Sequence, residues 1–217
     1  MVSAPTIAII GNILQLVGAF VSLSIAYVSY RGVRQTESPS LLRLATAFFL
    51  LGVGFMIEAI VGFGSFIPWF SALATTVVVT GLLLETTGYF FLAFSHVVDV
   101  MLAKKLGIAL MVFPILTMST GQLSDILGFL SFFFVLYGVV ETLYAYSSNK
   151  RPDTLLIATG LALLGVGTFV QWLSPVYFQV DLLTLVQIIT KEIGLLILFV
   201  PVLKFALGGE VRIDGPV

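Results

Sequence analysis

Long apolar stretches separated by short polar segments make up almost the whole chain. Read with a window of about 19 residues, the sequence contains seven stretches long enough to cross a bilayer, which takes roughly 20 apolar residues. They are continuously apolar and lack the alternation of barrel strands, which favours α-helices. The pattern predicts an all-α integral membrane bundle of seven helices. We number the predicted spans 1 to 7: 5–30, 41–64, 70–98, 105–121, 123–147, 154–174 and 178–206.

Composition supports this class of protein. Of the 217 residues, 59% are apolar and 10% are charged, whereas soluble domains are about 45–50% apolar and about 25% charged. We therefore expect a single transmembrane domain over residues 1–217, with the lipid bilayer as its first partner. The composition excludes a nucleic-acid binder, and the net charge of −1 implies no strongly charged partner.

Residues that carry most enzymatic chemistry are scarce. The chain has no cysteine and one histidine, His96, which excludes thiolate metal sites, catalytic thiols and two-histidine haem or copper sites. No set of nucleophile, base and orienting residue can be assembled. We expect no enzymatic activity, no catalytic residue, no metal and no cofactor.

Basic residues lie almost entirely on one side of the predicted membrane. Nine of the ten Lys and Arg residues occupy the loops of that side or the C-terminal tail, and the tenth, Lys191, lies inside span 7. Since positively charged loops stay cytoplasmic, we predict a cell-membrane protein with its N-terminus outside and a cytoplasmic tail, 208–217. The nine are Arg31, Arg34, Arg43, Lys104, Lys105, Lys150, Arg151, Lys204 and Arg212.

An internal repeat links the two halves of the chain. Residues 154–173 match residues 41–60 at eight of twenty positions, at an offset of 113, and Pro39 and Pro152 keep the same offset. The alternative is coincidence among apolar helices. The matches include Leu51/Leu164, Gly52/Gly165 and Gly54/Gly167. Small residues of this kind let helices pack closely in lipid.

Spans 3 and 7 align at an offset of 106, which places Gly88 on Gly194 and Glu85 on Lys191. We predict two parallel three-helix repeats, 1–100 and 122–207, joined by a connector helix, 101–121. An odd connector makes such copies parallel. This layout resembles that of the SWEET sugar transporters in helix count and repeat order.

Five ionisable residues fall inside the predicted spans: Glu58, Glu85, Glu141, Lys191 and Glu192. Each costs about 2.5–3.5 kcal/mol at the centre of a membrane helix, so we expect them to face the bundle interior. Glu85 and Lys191 lie midway along spans 3 and 7, and we predict a buried ion pair between them. Glu192 points about 100° away on its helix and needs another partner or a proton.

Two polar stripes extend this pair into a candidate intramembrane site. Span 7 presents Thr184, Gln187, Lys191 and Gly194 on one face, and span 3 presents Gly81, Glu85, Gly88, Leu92 and His96. Facing stripes of this kind would form a binding site at mid-membrane. The alternative is an ion pair that only sets helix register. For His96 we consider an interfacial or core position, a proton relay from Glu85, or a haem ligand.

Seven helices, a lysine midway along span 7 and a carboxylate midway along span 3 resemble the outline of the microbial rhodopsins. The resemblance implies a retinal Schiff base on Lys191 with Glu85 as counter-ion. Gln187 stands where that family has an aspartate, and span 6 lacks the aromatic and proline residues that line retinal.

The segments 27–64 and 82–95 are similar to a broad set of small archaeal polytopic membrane proteins. The likeness lies in the Tyr/Arg loop, the SPSLLRLATAFFLLGVGF helix and the carboxylate ahead of GYFFLAF. It implies an archaeal cell membrane and transfers no activity.

Three functional hypotheses follow. The first is a non-catalytic subunit or anchor of a larger membrane complex, such as a respiratory or secretion assembly, with other subunits or further copies of the chain as partners. The second is a small-solute or proton-linked permease that uses the Glu85/Lys191 site. The third is a retinal-binding photoreceptor.

Overall fold

The computed structural model describes residues 4–64, 71–94, 119–177 and 181–207, and within these ranges it contains six α-helices and no strand. All six are long and apolar enough to cross a membrane, so the chain is a multi-pass membrane protein. The helices are α1 (Ala4–Thr36), α2 (Pro39–Gly64), α3 (Ser71–Ala93), α4 (Thr120–Asn149), α5 (Pro152–Tyr177) and α6 (Asp181–Leu207).

The helices correspond to predicted spans 1, 2, 3, 5, 6 and 7. Span 4 lies almost wholly outside the described residues, as do most of the connector 101–121, the tail 208–217 and His96. The predicted end of span 1 was wrong, because α1 continues six residues further to Thr36. Arg and Gln are good helix formers, so the helix runs on beyond its apolar part.

The turns after α1 and α4 are built in the same way. Glu37 and Lys150 adopt the left-handed conformation, with φ of 52° and 50°. The backbone N–H of each donates to the carbonyl four residues earlier, at 2.7 Å in both cases, which closes the helix end. Pro39 and Pro152 then begin α2 and α5, where the fixed φ of proline suits the first helical turn.

The six helices pack in chain order around a ring, and α6 closes the ring against α1. Most neighbours are antiparallel, as they are in α1 and α2, where Gly62 lies beside Asn12 and Gly52 beside Leu23. The exceptions are α3 with α4 and α6 with α1. Leu82 clusters with Leu123 and Leu127, while Gly138 lies against Ala93, so α3 and α4 run in the same direction. Gly11 beside Ile188 and Gly18 beside Glu192 show the same for α1 and α6.

Apart from Lys191, all the basic residues that the structure describes therefore lie at one end of the ring, which we call the basic end. There the Arg43 guanidinium donates to the carbonyl of Phe94 at 3.4 Å, and Lys204 lies 3.3 Å from Asp153 at an exposed ion pair. We call the other end, where α1, α3, α4 and α6 begin, the opposite end.

Glycines set the closest helix contacts, as the small-residue pattern predicted. A Cβ on Gly54 would lie 2.9 Å from Glu85 Cγ, and a Cβ on Gly167 would lie 2.6 Å from Lys191 Cγ. A Cβ on Gly88 would meet Leu51 Cγ at 2.7 Å. The α2–α3 and α5–α6 contacts therefore leave no room for a larger residue.

The interior and the outer surface are both apolar. Large buried side chains fill the ring: Phe48, Leu51, Phe55, Tyr89, Leu164 and Leu195. The outward faces expose Phe20 at 75% and Tyr144 at 76%. Apolar surfaces of this kind suit lipid, where helices satisfy their own backbone hydrogen bonds.

Candidate functional site at the centre of the bundle

A buried ion pair joins the two halves of the ring. Lys191 Nζ donates to Glu85 Oε2 at 2.8 Å, and the two side chains are 5% and 1% exposed. The predicted pairing is therefore present. It depends on Gly54 and Gly167, because their missing side chains let α3 and α6 bring these long side chains into the interior.

The lysine also contacts an aromatic face. Lys191 Nζ lies 5.3 Å from the centroid of Phe55 on α2, within the range of a cation–π contact. Tyr89 lies one turn beyond Glu85 on α3 and is fully buried. Neither the Tyr89 hydroxyl nor Glu85 Oε1 has a hydrogen-bond partner among the described residues. On α3, Glu85 Oε1 can therefore accept a further hydrogen bond, and the Tyr89 hydroxyl can donate or accept one.

Glu192 lies apart from the ion pair and packs against α1. Its carboxylate occupies the space that a Cβ on Gly18 would need, so Gly18 makes room for it. The residue is 4% exposed, and its Oε2 has no hydrogen-bond partner among the residues that the structure describes. A buried carboxylate in this state is costly unless a cation or a proton reaches it.

Glu58 has a partner that the sequence did not reveal. Gln15 Nε2 on α1 donates to Glu58 Oε2 at 2.8 Å. Gln15 and Asn12 are the two polar residues within the otherwise apolar stretch 7–21 of this helix, and this signal could have suggested an interior role. The pairing itself needed the α1–α2 contact.

A small pocket lies beside Lys191. Its volume is about 10 Å³, close to the minimum for one water molecule. Polar groups from α1, α2 and α6 surround it. The lining residues are Gln15, Phe55, Glu58, Gln187, Ile188, Lys191 and Glu192.

A larger space at the opposite end, the polar cavity, has a volume of about 250 Å³. It is lined by Glu58, Val78, Leu82, Ser124, Asp125, Gly128, Gln171, Trp172, Thr184 and Gln187. Glu58 and Gln187 also line the small pocket. The polar cavity and the small pocket are therefore neighbours, with Glu58 and Gln187 in the wall between them.

This cavity also contains residues that the sequence did not predict as part of the site, among them Asp125, Gln171 and Trp172. Trp172 packs over Gly128 and lies 5.4 Å from Phe129, ring to ring. For Gln171 the sequence does hold a signal, because it lies at an offset of 113 from Glu58.

The predicted facing stripes are only partly present. Glu85 and Lys191 meet, but Gly81 and Gly88 face α2, and Gly194 faces α5. The stripe prediction was wrong for these glycines because they serve contacts between neighbouring helices. Thr184 and Gln187 line the polar cavity, Leu92 lines a different cavity, and His96 lies outside the described residues.

That second space, the apolar cavity, lies at the basic end and has a volume of about 260 Å³. All six helices contribute to its wall, which includes Leu44, Phe48, Leu161 and Leu198. Glu141, the remaining intramembrane carboxylate, also lines it. Tyr89 and Leu195 lie between this cavity and the ion pair along α3 and α6, so the two ends of the ring are separated by packed side chains.

Neither a metal-binding group nor a large cavity lies beside Lys191 among the described residues. Within the described ranges no group of three or more His, Cys, Asp or Glu residues could hold a metal ion. The space beside Lys191 is about 10 Å³, far below the 300 Å³ or more of sites for larger organic ligands. A retinal chain attached to Lys191 does not fit this arrangement.

No family model, curated protein or solved structure matches this chain.

Proposed function

We propose that this protein is a small-solute permease whose solute enters the polar cavity and approaches the Glu85–Lys191 pair. One observation carries the proposal: Glu58 and Gln187 line both the polar cavity and the small pocket at Lys191. A structural ion pair needs no cavity leading to it. Transport sites, by contrast, lie near mid-membrane, where access from one side can be closed.

The closed side of the pathway fits this proposal. Tyr89, Leu195, Leu51 and Leu164 are fully buried and lie beyond the ion pair. Transport requires this layer to open towards the apolar cavity while the polar cavity closes. The arrangement places a packed layer between two cavities, which suits a carrier whose gate lies on one side of its site.

We further propose the seven-helix, two-repeat architecture for the whole chain. Phe94 lies at the basic end and Ser119 at the opposite end, because α3 and α4 are parallel, and this supports a crossing by the predicted span 4. The matching turns at Glu37 and Lys150, offset by 113, support the repeat. Positive charge at the basic end supports a cytoplasmic location for it.

Uptake into liposomes tests the proposal. We would measure uptake of four labelled probes, tetramethylammonium, glycine, lactate and mannitol, by the purified full chain. We expect uptake of at least one probe, lost in Glu85→Gln. Because Glu85→Gln leaves a buried lysine unpaired, Gln187→Leu serves as a second variant that keeps the ion pair. Asp153→Asn, an exposed carboxylate change, is the matched control and should transport normally.

Two results would overturn the proposal. If no probe is taken up, and the chain co-purifies from native membranes with other proteins at fixed stoichiometry, the protein is better described as a complex subunit. If Glu85→Gln combined with Lys191→Met retains full uptake, the pair only sets helix register.

A further inference from the structure

Resting on the proposed permease function, we infer that the polar cavity is a binding site for small organic ammonium ions. The inference concerns the walls of the cavity and the carboxylates beyond it. It assigns a ligand class and adds Asp125 and Trp172 as ligand contacts.

The charge of the cavity wall favours a cation. Asp125, which is exposed, and Glu58, which is half-buried, line the polar cavity, and no basic residue is among its described lining residues. Glu192 lines the adjoining pocket, where Lys191 is held by Glu85. An excess of carboxylates around a cleft attracts a cation and repels an anion.

Buried acceptors without donors lie next to the cavity. Glu192 is 4% exposed, and its Oε2 has no partner among the described residues, although it lines the small pocket beside the cavity. Gln187 Oε1 is also buried without a described partner, on the wall shared by the two spaces. Acceptors held without donors mark the route for a positively charged or N–H-donating ligand.

An aromatic wall and sufficient space also suit an ammonium ion. Trp172 lines the cavity, and indole is the best aromatic partner for an ammonium ion. The volume of about 250 Å³ accommodates a small organic ion. Metal cations are disfavoured, because within the described residues the carboxylates do not converge into a metal-binding group.

Fluorescence of Trp172 provides a direct binding test. The chain has two tryptophans, Trp69 and Trp172, so Trp69→Phe leaves Trp172 as the single reporter. We would titrate this variant in lipid nanodiscs with tetramethylammonium chloride, with sodium chloride at equal ionic strength as one control. The neutral, similarly branched 3,3-dimethyl-1-butanol is the second control.

We expect saturable quenching by tetramethylammonium only. Asp125→Asn and Glu58→Gln should each weaken binding roughly tenfold, the effect of one charge at close range. Glu141→Gln changes a carboxylate at the apolar cavity and should leave the affinity unchanged.

Three other outcomes overturn the inference, and a fourth overturns only the proposed transport. Equal quenching by the alcohol shows a site for apolar groups, and unchanged affinity in both carboxylate variants shows that charge does not select the ligand. Uptake of glycine or mannitol without tetramethylammonium binding would leave the permease intact and reject the ligand class. Binding of tetramethylammonium without uptake of any probe would keep the site and reject transport.

Discussion

The α2–α3 contact and the α5–α6 contact are built from equivalent residues. A Cβ on Gly54 would meet Glu85 and the carbonyl of Gly81, and a Cβ on Gly167 would meet Lys191 and the carbonyl of Gln187. Gly88 packs on Leu51 as Gly194 packs on Leu164. The positions correspond at offsets of 113 and 106, so both contacts share one packing scheme.

The two contacts differ where they reach the centre of the ring. Glu85 corresponds to Lys191, and Thr86, which lies 2.9 Å from Ser131, corresponds to Glu192, which lies over Gly18. The glycine contacts are alike in the two halves, whereas the central side chains differ in charge. This contrast teaches that the backbone geometry tolerates either charge at mid-membrane, provided that the opposite charge faces it.

The largest expected effect comes from breaking the ion pair. Glu85→Gln or Lys191→Met leaves a buried charge unpaired and should lower the free energy of unfolding by about 3–5 kcal/mol. Combining Glu85→Lys with Lys191→Glu should recover most of the lost free energy of unfolding if the two positions are equivalent. Reversible unfolding in mixed detergent micelles measures all three. If the charge-swapped variant is no more stable than the single variants, the two positions are not equivalent.

Equal losses are expected at the two matched glycines. Gly54→Ala and Gly167→Ala both force a Cβ against backbone at about 3.0 Å and should each cost about 1–3 kcal/mol. The same unfolding assay applies. A loss at one glycine without a loss at the other would show that the contacts are not equivalent.

Unequal losses of stability are expected at Gly52 and Gly165, which lie two residues before the matched glycines and face other helices. A Cβ on Gly52 would lie 2.8 Å from Leu23 Cγ and 3.1 Å from the carbonyl of Ala19, whereas on Gly165 it would meet only Val135 Cγ1, at 3.4 Å. Gly52→Ala should cost about 1–3 kcal/mol. Gly165→Ala should be neutral or stabilising by up to about 1 kcal/mol, because alanine is the better helix former. Equal destabilisation of both variants would contradict the described geometry.

The smallest effect concerns the α3–α4 junction. Thr86→Ala removes the hydroxyl contact with Ser131 and should cost about 0.6 kcal/mol, typical of hydrogen bonds between membrane helices. Thr80→Ala is the matched control, because Thr80 is exposed and its hydroxyl donates to Thr76 within its own helix. If Thr86→Ala loses no more stability than the control, the hydroxyl contact does not stabilise the junction.

Much of the centre could be anticipated from the repeat. The offset of 106 that places Glu85 on Lys191 pointed to their contact, since both residues then lie midway along their helices. Gln15 and Asp125 could not be found in this way, because their partners depend on which helices become neighbours in the ring. The direction of Gly81 and Gly88 was likewise misread, because one helix face can turn either to an adjacent helix or across the interior.

The sequence by itself determined the class of protein, the positions of six helices and the few charged residues that must be buried. These follow from the free energy of transferring each segment into lipid, which depends on local composition. Only the tertiary structure decided the order of helices in the ring, the Gln15–Glu58 bond and the cavity that brings Asp125 and Trp172 together with Glu58. Such features depend on shape complementarity between segments far apart in the chain, because lipid gives helices no hydrophobic reason to prefer one neighbour over another.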